Sequence, residues 1–406
     1  MNEHFFNFLD IINSLSIYEN IKNDPLIKLF EELLSIFCFE EVSYKNFLKI
    51  KKIYSKICSL IWQHPSHNLS EYVYELILYD ENLISKKQMG AEILSAAVVE
   101  FENLLRIALE LKSELITNYI YAQYRAILPE INNLPHYMTY DAFERGTNYE
   151  DIIRFYNEKG YGIFAKYDAF LFDGNELKPV VNKDCISLDM LKLYNREKDL
   201  VFNNTEAFIY GRSYHNVLLY GDRGCGKSSV VKAVANKFSQ KGLRIVQIRK
   251  DNLCNLDVLI DKLSDSPLKF IVFIDDLTFN EDDDGFNALK ASLEGSLQRQ
   301  PENIAIYATS NRCHLVKESF TAREGDEIHL SDTLNEICSL SDRFGLIINY
   351  IRPPKDDYLQ IVKLMAIDKN LEMDDQTLFD GAEVFALEKG GRSPRIATQY
   401  ITELCS

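Results

Sequence analysis

Long apolar runs are missing from these 406 residues. None approaches the ~18–20 that a membrane-spanning helix needs, so no membrane partner is expected. The opening stretch MNEHFFNFLDIINSLSIYEN has acids and asparagines where a basic leader and apolar core would stand, so no signal peptide is read. Cysteine occurs eight times, yet no CxxC pair occurs and no histidine stands at zinc-ligand spacing. That scatter excludes a disulfide framework and points to free thiols in a reducing cytoplasm. Cys58, His64 and His67, around CSLIWQHPSH, match no common ligand set and read as a loop with incidental histidines. Basic charge is also short. With 45 Lys and Arg against 61 Asp and Glu, the net charge of −16 opposes a surface dedicated to wrapping nucleic acid, though a local basic site stays open.

The composition otherwise suits a globular chain long enough for two or three domains. Residues 1–149 read as an all-helical N-terminal region, with apolar residues recurring every three or four positions. The strongest pattern starts at EILSAAVVEFENLL. Ala97, Phe101, Leu104, Ala108, Leu111 and Leu115 form one stripe, with Glu100, Glu110, Lys112 and Glu114 off it, until Pro129. This predicts one long amphipathic helix of roughly 50 Å. Residues 150–190 carry short β-prone runs and a turn at FDGNEL, read as a connecting β-containing element.

After residue 190 the texture becomes that of an α/β core, taken to run over 191–352. Strand-like NVLLY, LRIVQI, KFIVFID, NIAIYATS and LIINYI alternate with helical patterns, which implies a parallel sheet covered on both faces. Residues 353–406, opened by Pro353-Pro354, hold three helical patterns and no strand, a small lid.

Between the first strand and its helix lies YGDRGCGKSS. Gly221-x-x-x-x-Gly226-Lys227-Ser228 is the phosphate-loop pattern. Its chemistry is specific: glycines let backbone N–H groups of Gly221, Asp222, Arg223, Gly224, Cys225, Gly226 and Ser229 approach phosphate oxygens, and the helix N-terminus adds its dipole. Lys227 is placed to reach the β- and γ-phosphates, and Ser228 to offer a hydroxyl to Mg²⁺. Cys225 reads as a small residue at a variable loop position rather than a redox thiol. Further on, FIVFIDDL delivers Asp275 at a strand's C-terminal edge, where ligands of open α/β sheets bind. Asp275 is the candidate metal ligand and Asp276 the candidate general base. The acidic NEDDDGF that follows reads as a solvated loop tip.

NVLLYGDRGCGKSS, FIDDL, IYATSNR, SLSDRFGL and GGRSPR together resemble the AAA+ class of P-loop ATPases, and within it an uncharacterised bacterial family of unknown function. The resemblance runs over about 150–406. It implies an α/β P-loop NTPase sheet of AAA+ type with a helical lid, ATP and Mg²⁺ as cofactors, and three further roles. Asn311 would position the attacking water. Arg343 would be an arginine finger acting on a neighbouring subunit of a homo-oligomer. A lid arginine would be Arg395, with Arg392 an open competitor. Most AAA+ enzymes carry glutamate where this chain has Asp276, a side chain shorter by one methylene, which puts the turnover rate in question. The leading expectation is thus an ATPase that remodels or loads a macromolecular client. A slow nucleotide-gated switch and a nucleic-acid loader are the alternatives, and acidic balance weighs against the loader.

Overall fold

The computed structural model describes residues 3–86, 90–126, 134–140, 148–278, 284–294, 301–311 and 343–405. Pro129, the acids at 281–283 and the SLSD of 339–342 lie outside them. The chain divides into two compact units, Met1–Lys166 and Tyr167–Ser406.

The first unit is built from helices α1 (Glu3–Ser14), α2 (Pro25–Phe39), α3 (Tyr44–Gln63), α4 (Leu69–Leu78), α5 (Leu83–Lys86), α6 (Ala91–Glu110), α7 (Ser113–Tyr124), α8 (Tyr149–Lys159) and α9 (Gly162–Lys166). Local signals start several of them. Asp24 caps α2 by accepting from the N–H groups of Leu26 at 2.8 Å and Ile27 at 3.3 Å, with Pro25 in the first turn, where its missing N–H is harmless. Leu26, Phe30, Leu33 and Phe37 then bury one face.

The single long helix expected from the apolar stripe is two helices. Leu111 and Lys112 leave helical geometry between α6 and α7. The carbonyls stranded by the break find side-chain donors: Tyr137 Oη donates to Leu111 O at 2.7 Å, and Ser70 Oγ to Ala108 O at 2.6 Å. The stripe changes phase at the break. Ala97, Phe101, Leu104, Ala108 and Leu111 are buried as expected, but beyond it Ile116 and Ile120 take the core side and Leu115 is only half-buried. Glu100, off the apolar stripe, is also buried. Its carboxylate accepts from the backbone N–H groups of Ser16, Ile17 and Tyr18, at 2.9 Å for Ser16 and Ile17 and 3.1 Å for Tyr18. Three converging amides replace the water the acid loses.

The second unit holds a seven-stranded sheet: β1 (Ala169–Phe172), β2 (Leu177–Pro179), β3 (Val217–Gly221), β4 (Leu243–Ile248), β5 (Lys269–Ile274), β6 (Ile304–Ser310) and β7 (Leu346–Tyr350), ordered β2-β1-β4-β5-β6-β3-β7. All pairings are parallel except β1 with β2. The FDGNEL turn does join a hairpin, and that hairpin extends the main sheet through β1–β4 pairing, whereas the GIFAK that precedes it is helical. Around the sheet lie α10 (Asn195–Ile209), α11 (Lys227–Phe238), α12 (Leu256–Ser264) and α13 (Asp284–Glu294). β6 is buried along its whole length, the signature of a strand covered on both faces. Val230, Val231, Val234 and Phe238 of α11 pack on Leu219, Ile271, Phe273 and Tyr307, fixing that helix beneath the strand ends. The lid is α14 (Lys355–Asp368), α15 (Asp375–Glu388) and α16 (Pro394–Leu404), with its own core of Tyr358, Ile361, Val362, Leu378, Ala382, Ala397 and Ile401.

Candidate functional site

β3 lies between β6 and β7, so the chain leaving its C-terminal end enters the crevice where ligands of open α/β sheets bind. There it forms the glycine loop and turns into α11. Gly221 is required by contact as well as conformation: at φ +128°, a Cβ would stand 2.1 Å from the Tyr350 carbonyl oxygen of neighbouring β7. The close approach is held by the Asp222 N–H donating to that same oxygen at 2.9 Å. Cys225 faces the hydrophobic core, and burial pushes its thiol pKa up, the opposite of a reactive cysteine.

Lys227 is buried, and its ammonium donates to Gly221 O at 2.8 Å, Asp222 O at 2.9 Å and Asn311 Oδ1 at 3.2 Å. All three acceptors are neutral. Among the described residues no carboxylate oxygen lies within 4 Å of it, so the cation is hydrogen-bonded without being neutralised. Burial lowers its pKa. Ser228 Oγ donates to Asp275 Oδ1 at 2.6 Å, and Thr309 Oγ1 donates to the same oxygen at 2.6 Å. Thr309 Oγ1 also accepts from the Asp276 N–H at 2.9 Å, so one hydroxyl ties both acids to β6. Asp276 itself sits in the left-handed region at φ 53°, which turns it away from the strand path, and its side chain accepts from Asn311 Nδ2. A chain of hydrogen bonds therefore runs from Lys227 through Asn311 to Asp276.

A cavity of about 840 Å³ opens over these groups. Arg223, Gly224, Cys225, Gly226, Lys227, Ser228, Ser229, Asp275, Asp276, Asn311 and Arg395 all line it. Gly221 and Asp222 are not in its wall; they stand behind the loop, with their carbonyls on Lys227. Arg343 is not in the wall either, and it precedes β7 at the sheet end opposite the loop. The two lid arginines separate. Arg395 borders the cavity, and its N–H donates to Gly224 O at 3.2 Å. Arg392 forms a two-pronged pair with Glu383, at 2.8 and 2.6 Å, which lowers the Glu383 pKa.

Two sets of wall residues escaped the sequence reading. Thr309 is one, and a polar residue inside an otherwise apolar buried strand was its available signal. The other is Ile186, Met190, Leu191, Leu193 and Tyr194 with Met365, an apolar wall beside the loop from irregular chain that no periodicity marks. Tyr194 is pinned at φ 63°, its hydroxyl donating to Ile351 O at 2.7 Å. For the histidine cluster the structure gives plain structural roles: His64 contacts Ser66 and Glu75, and His67 the Trp62 carbonyl. Among the described residues no group of His, Cys, Asp or Glu is arranged to hold a metal ion, and no described helix is long and apolar enough to cross a membrane.

Solved structures of RuvB from Thermotoga maritima align with part of the chain. An arginine-to-alanine variant of that protein is 17% identical over 53% of this chain and 63% of its own, with a TM-score of 0.36. A lysine-to-arginine variant gives 17%, 53%, 63% and 0.37. A structure titled the RuvB Holliday junction branch migration motor is 15% identical over 54% of this chain and 72% of its own, at 0.33. The chain thus spans less than two thirds of the first of these proteins. No curated protein matches the chain as a relative. A family model described as protein of unknown function, DUF815, matches residues 165–406, which holds the whole sheet, the loop and the lid. With more than half of its length inside that model, the chain belongs to the DUF815 family.

Proposed function

We propose that this chain binds ATP with Mg²⁺ and hydrolyses it, using the energy to act on a macromolecular client. One observation carries the reading: a buried ammonium, Lys227, hydrogen-bonded only to neutral oxygens at a helix N-terminus beneath a cavity of about 840 Å³. A buried ammonium with no carboxylate in contact, at a helix N-terminus, suits an anion. Ser228 Oγ and Asp275 Oδ1, hard oxygen donors 2.6 Å apart, suit a Mg²⁺ ion that keeps most of its waters. When bound, the ion would neutralise charge on the β- and γ-phosphates. Asn311, already bridging Lys227 and Asp276, would orient water, and Asp276 would accept its proton. Arg395 would lay positive charge on the nucleotide from the lid. Arg343, outside its own cavity wall, would complete a neighbouring subunit's site in a ring or spiral.

A second reading, a slow nucleotide-gated switch, is favoured by the short, exposed Asp276 whose carboxylate Asn311 already engages. ATP calorimetry and phosphate release on wild type, Lys227→Ala and Asp276→Asn separate the two. Lys227→Ala is expected to weaken ATP at least about tenfold. Asp276→Asn should bind within about twofold of wild type and release phosphate about 10²–10⁴-fold more slowly. Wild type that binds without releasing phosphate selects the switch, and wild type that does not bind ends the nucleotide reading.

A further inference from the structure

Arg352 occupies the short connector that joins the sheet to the lid, between the end of β7 and Pro353-Pro354. It touches both sides. Toward the loop, its backbone N–H donates to Asp222 Oδ2 at 3.0 Å, and its guanidinium Nε lies 3.8 Å from Asp222 Oδ1. Toward the lid, Nη1 donates to the carbonyl of Gly390, in the turn between α15 and α16, at 3.2 Å. The next residue packs close to it: Gly391 sits at φ +131°, a backbone that disfavours any side chain, and a Cβ there would stand 2.5 Å from that same Nη1, which would have to move aside. A few residues later the turn reaches the loop directly, through the Arg395 N–H on Gly224 O.

The loop and the lid turn are therefore linked twice, once directly and once through Arg352. We infer that Arg352 is a positioning residue that couples the state of the phosphate loop to the placement of the lid, and so of Arg395. The inference rests on the nucleotide reading above. Asp222 is the loop's only acid, its carbonyl accepts from Lys227, and its carboxylate holds Arg352, so a displacement of the loop backbone is felt at the connector. About half of each partner is exposed, and an exposed ion pair is weak enough to form and break within a catalytic cycle. Arginine suits the place because its planar fork serves acceptors in two directions, which a lysine ammonium on a flexible stem does less well.

Hydrogen exchange of the 389–396 turn, in full-length protein with and without a non-hydrolysable ATP analogue, tests this. The comparison takes wild type, Arg352→Ala, Arg352→Lys, Asp222→Ala and the double Asp222→Ala/Arg352→Ala, with analogue affinity measured in parallel. In wild type the analogue is expected to slow exchange of the turn. In Arg352→Ala the analogue still binds, but its protection of the turn falls about 3–10-fold, a change of the size that one ordinary lost hydrogen bond gives. Arg352→Lys restores only part of it, and the double variant is no worse than Arg352→Ala. Full protection in Arg352→Ala overturns the coupling, as do losses that multiply in the double variant, and the nucleotide reading survives either. Failure of wild type to bind the analogue overturns the nucleotide reading and the coupling together.

Discussion

A buried charge keeps its ionisation only when its surroundings replace the water it has lost, and burial presses two residues here, one basic and one acidic, toward their neutral forms. Lys227 is held by three neutral oxygens, and burial lowers its pKa. Binding an anion would relieve that cost, which is why a phosphate-binding reading fits the residue so closely. Asp80, in the first unit, forms no ion pair among the described residues: burial raises its pKa from 3.8 to about 6, only partly opposed by the amide of Asn82. Between about pH 4 and 6 the folded unit therefore keeps a proton that the unfolded chain has released. Stability is greatest below that window and falls as pH rises through it. Asp80→Asn is expected to flatten the dependence and to stabilise the unit at pH 7 by about 1–3 kcal/mol. The chain's single tryptophan, Trp62 in α3, belongs to that unit, so urea unfolding followed by its fluorescence at pH 4.5 and 7 reads the effect. An unchanged slope would remove Asp80 from the account.

At the scale of elements, the interruption between α6 and α7 shows tertiary hydrogen bonds overriding helix propensity. Nothing in LRIALELKSELI forces a stop, since every residue in it tolerates a helix. The stop is instead stabilised by Tyr137 and Ser70, which donate to carbonyls that a continuing helix would have used itself. Tyr137→Phe leaves the Leu111 carbonyl buried without that donor and should cost the first unit about 1–3 kcal/mol, read by the same Trp62 unfolding curve. Ser113 contributes on the other side of the break, its hydroxyl donating to Tyr137 O at 2.9 Å. Loss of less than about 0.5 kcal/mol would mean that packing of the tyrosine ring, not its hydroxyl, sets the break.

For the whole molecule, the proposal makes hydrolysis a property of an assembly. Arg343 stands before β7, away from the cavity its own chain lines, and as the proposed arginine finger it would act on a second copy. Specific ATPase activity should then rise with protein concentration, and Arg343→Ala should lower it about 10³-fold or more. The variant should retain ATP affinity, because the residue is absent from the wall of its own cavity. Flat specific activity together with a wild-type-like variant would favour a monomeric switch. A single unit carries sheet, loop and lid, while α1–α8 of the helical unit before it lie outside the residues that the family model covers.

Local spacing alone determined the glycine loop, the two acids after an apolar strand, the five strands of the core and the three lid helices. Each is encoded within a few residues, by a period of two or 3.6 or by a fixed motif. Only the tertiary structure decided the strand order, the joining of the 169–179 hairpin to the main sheet, the break at Leu111 and the burial of Glu100. It also set Arg395 against the cavity and Arg392 against Glu383, a choice that neither spacing nor motif resolved. For most of these the deciding partner is distant in sequence. Glu100 is held by residues more than 80 positions away and Leu111 by a tyrosine 26 away. Arg352 finds Asp222 across 130 residues. A sequence pattern records which faces a segment offers, but only folding brings the group that each face meets.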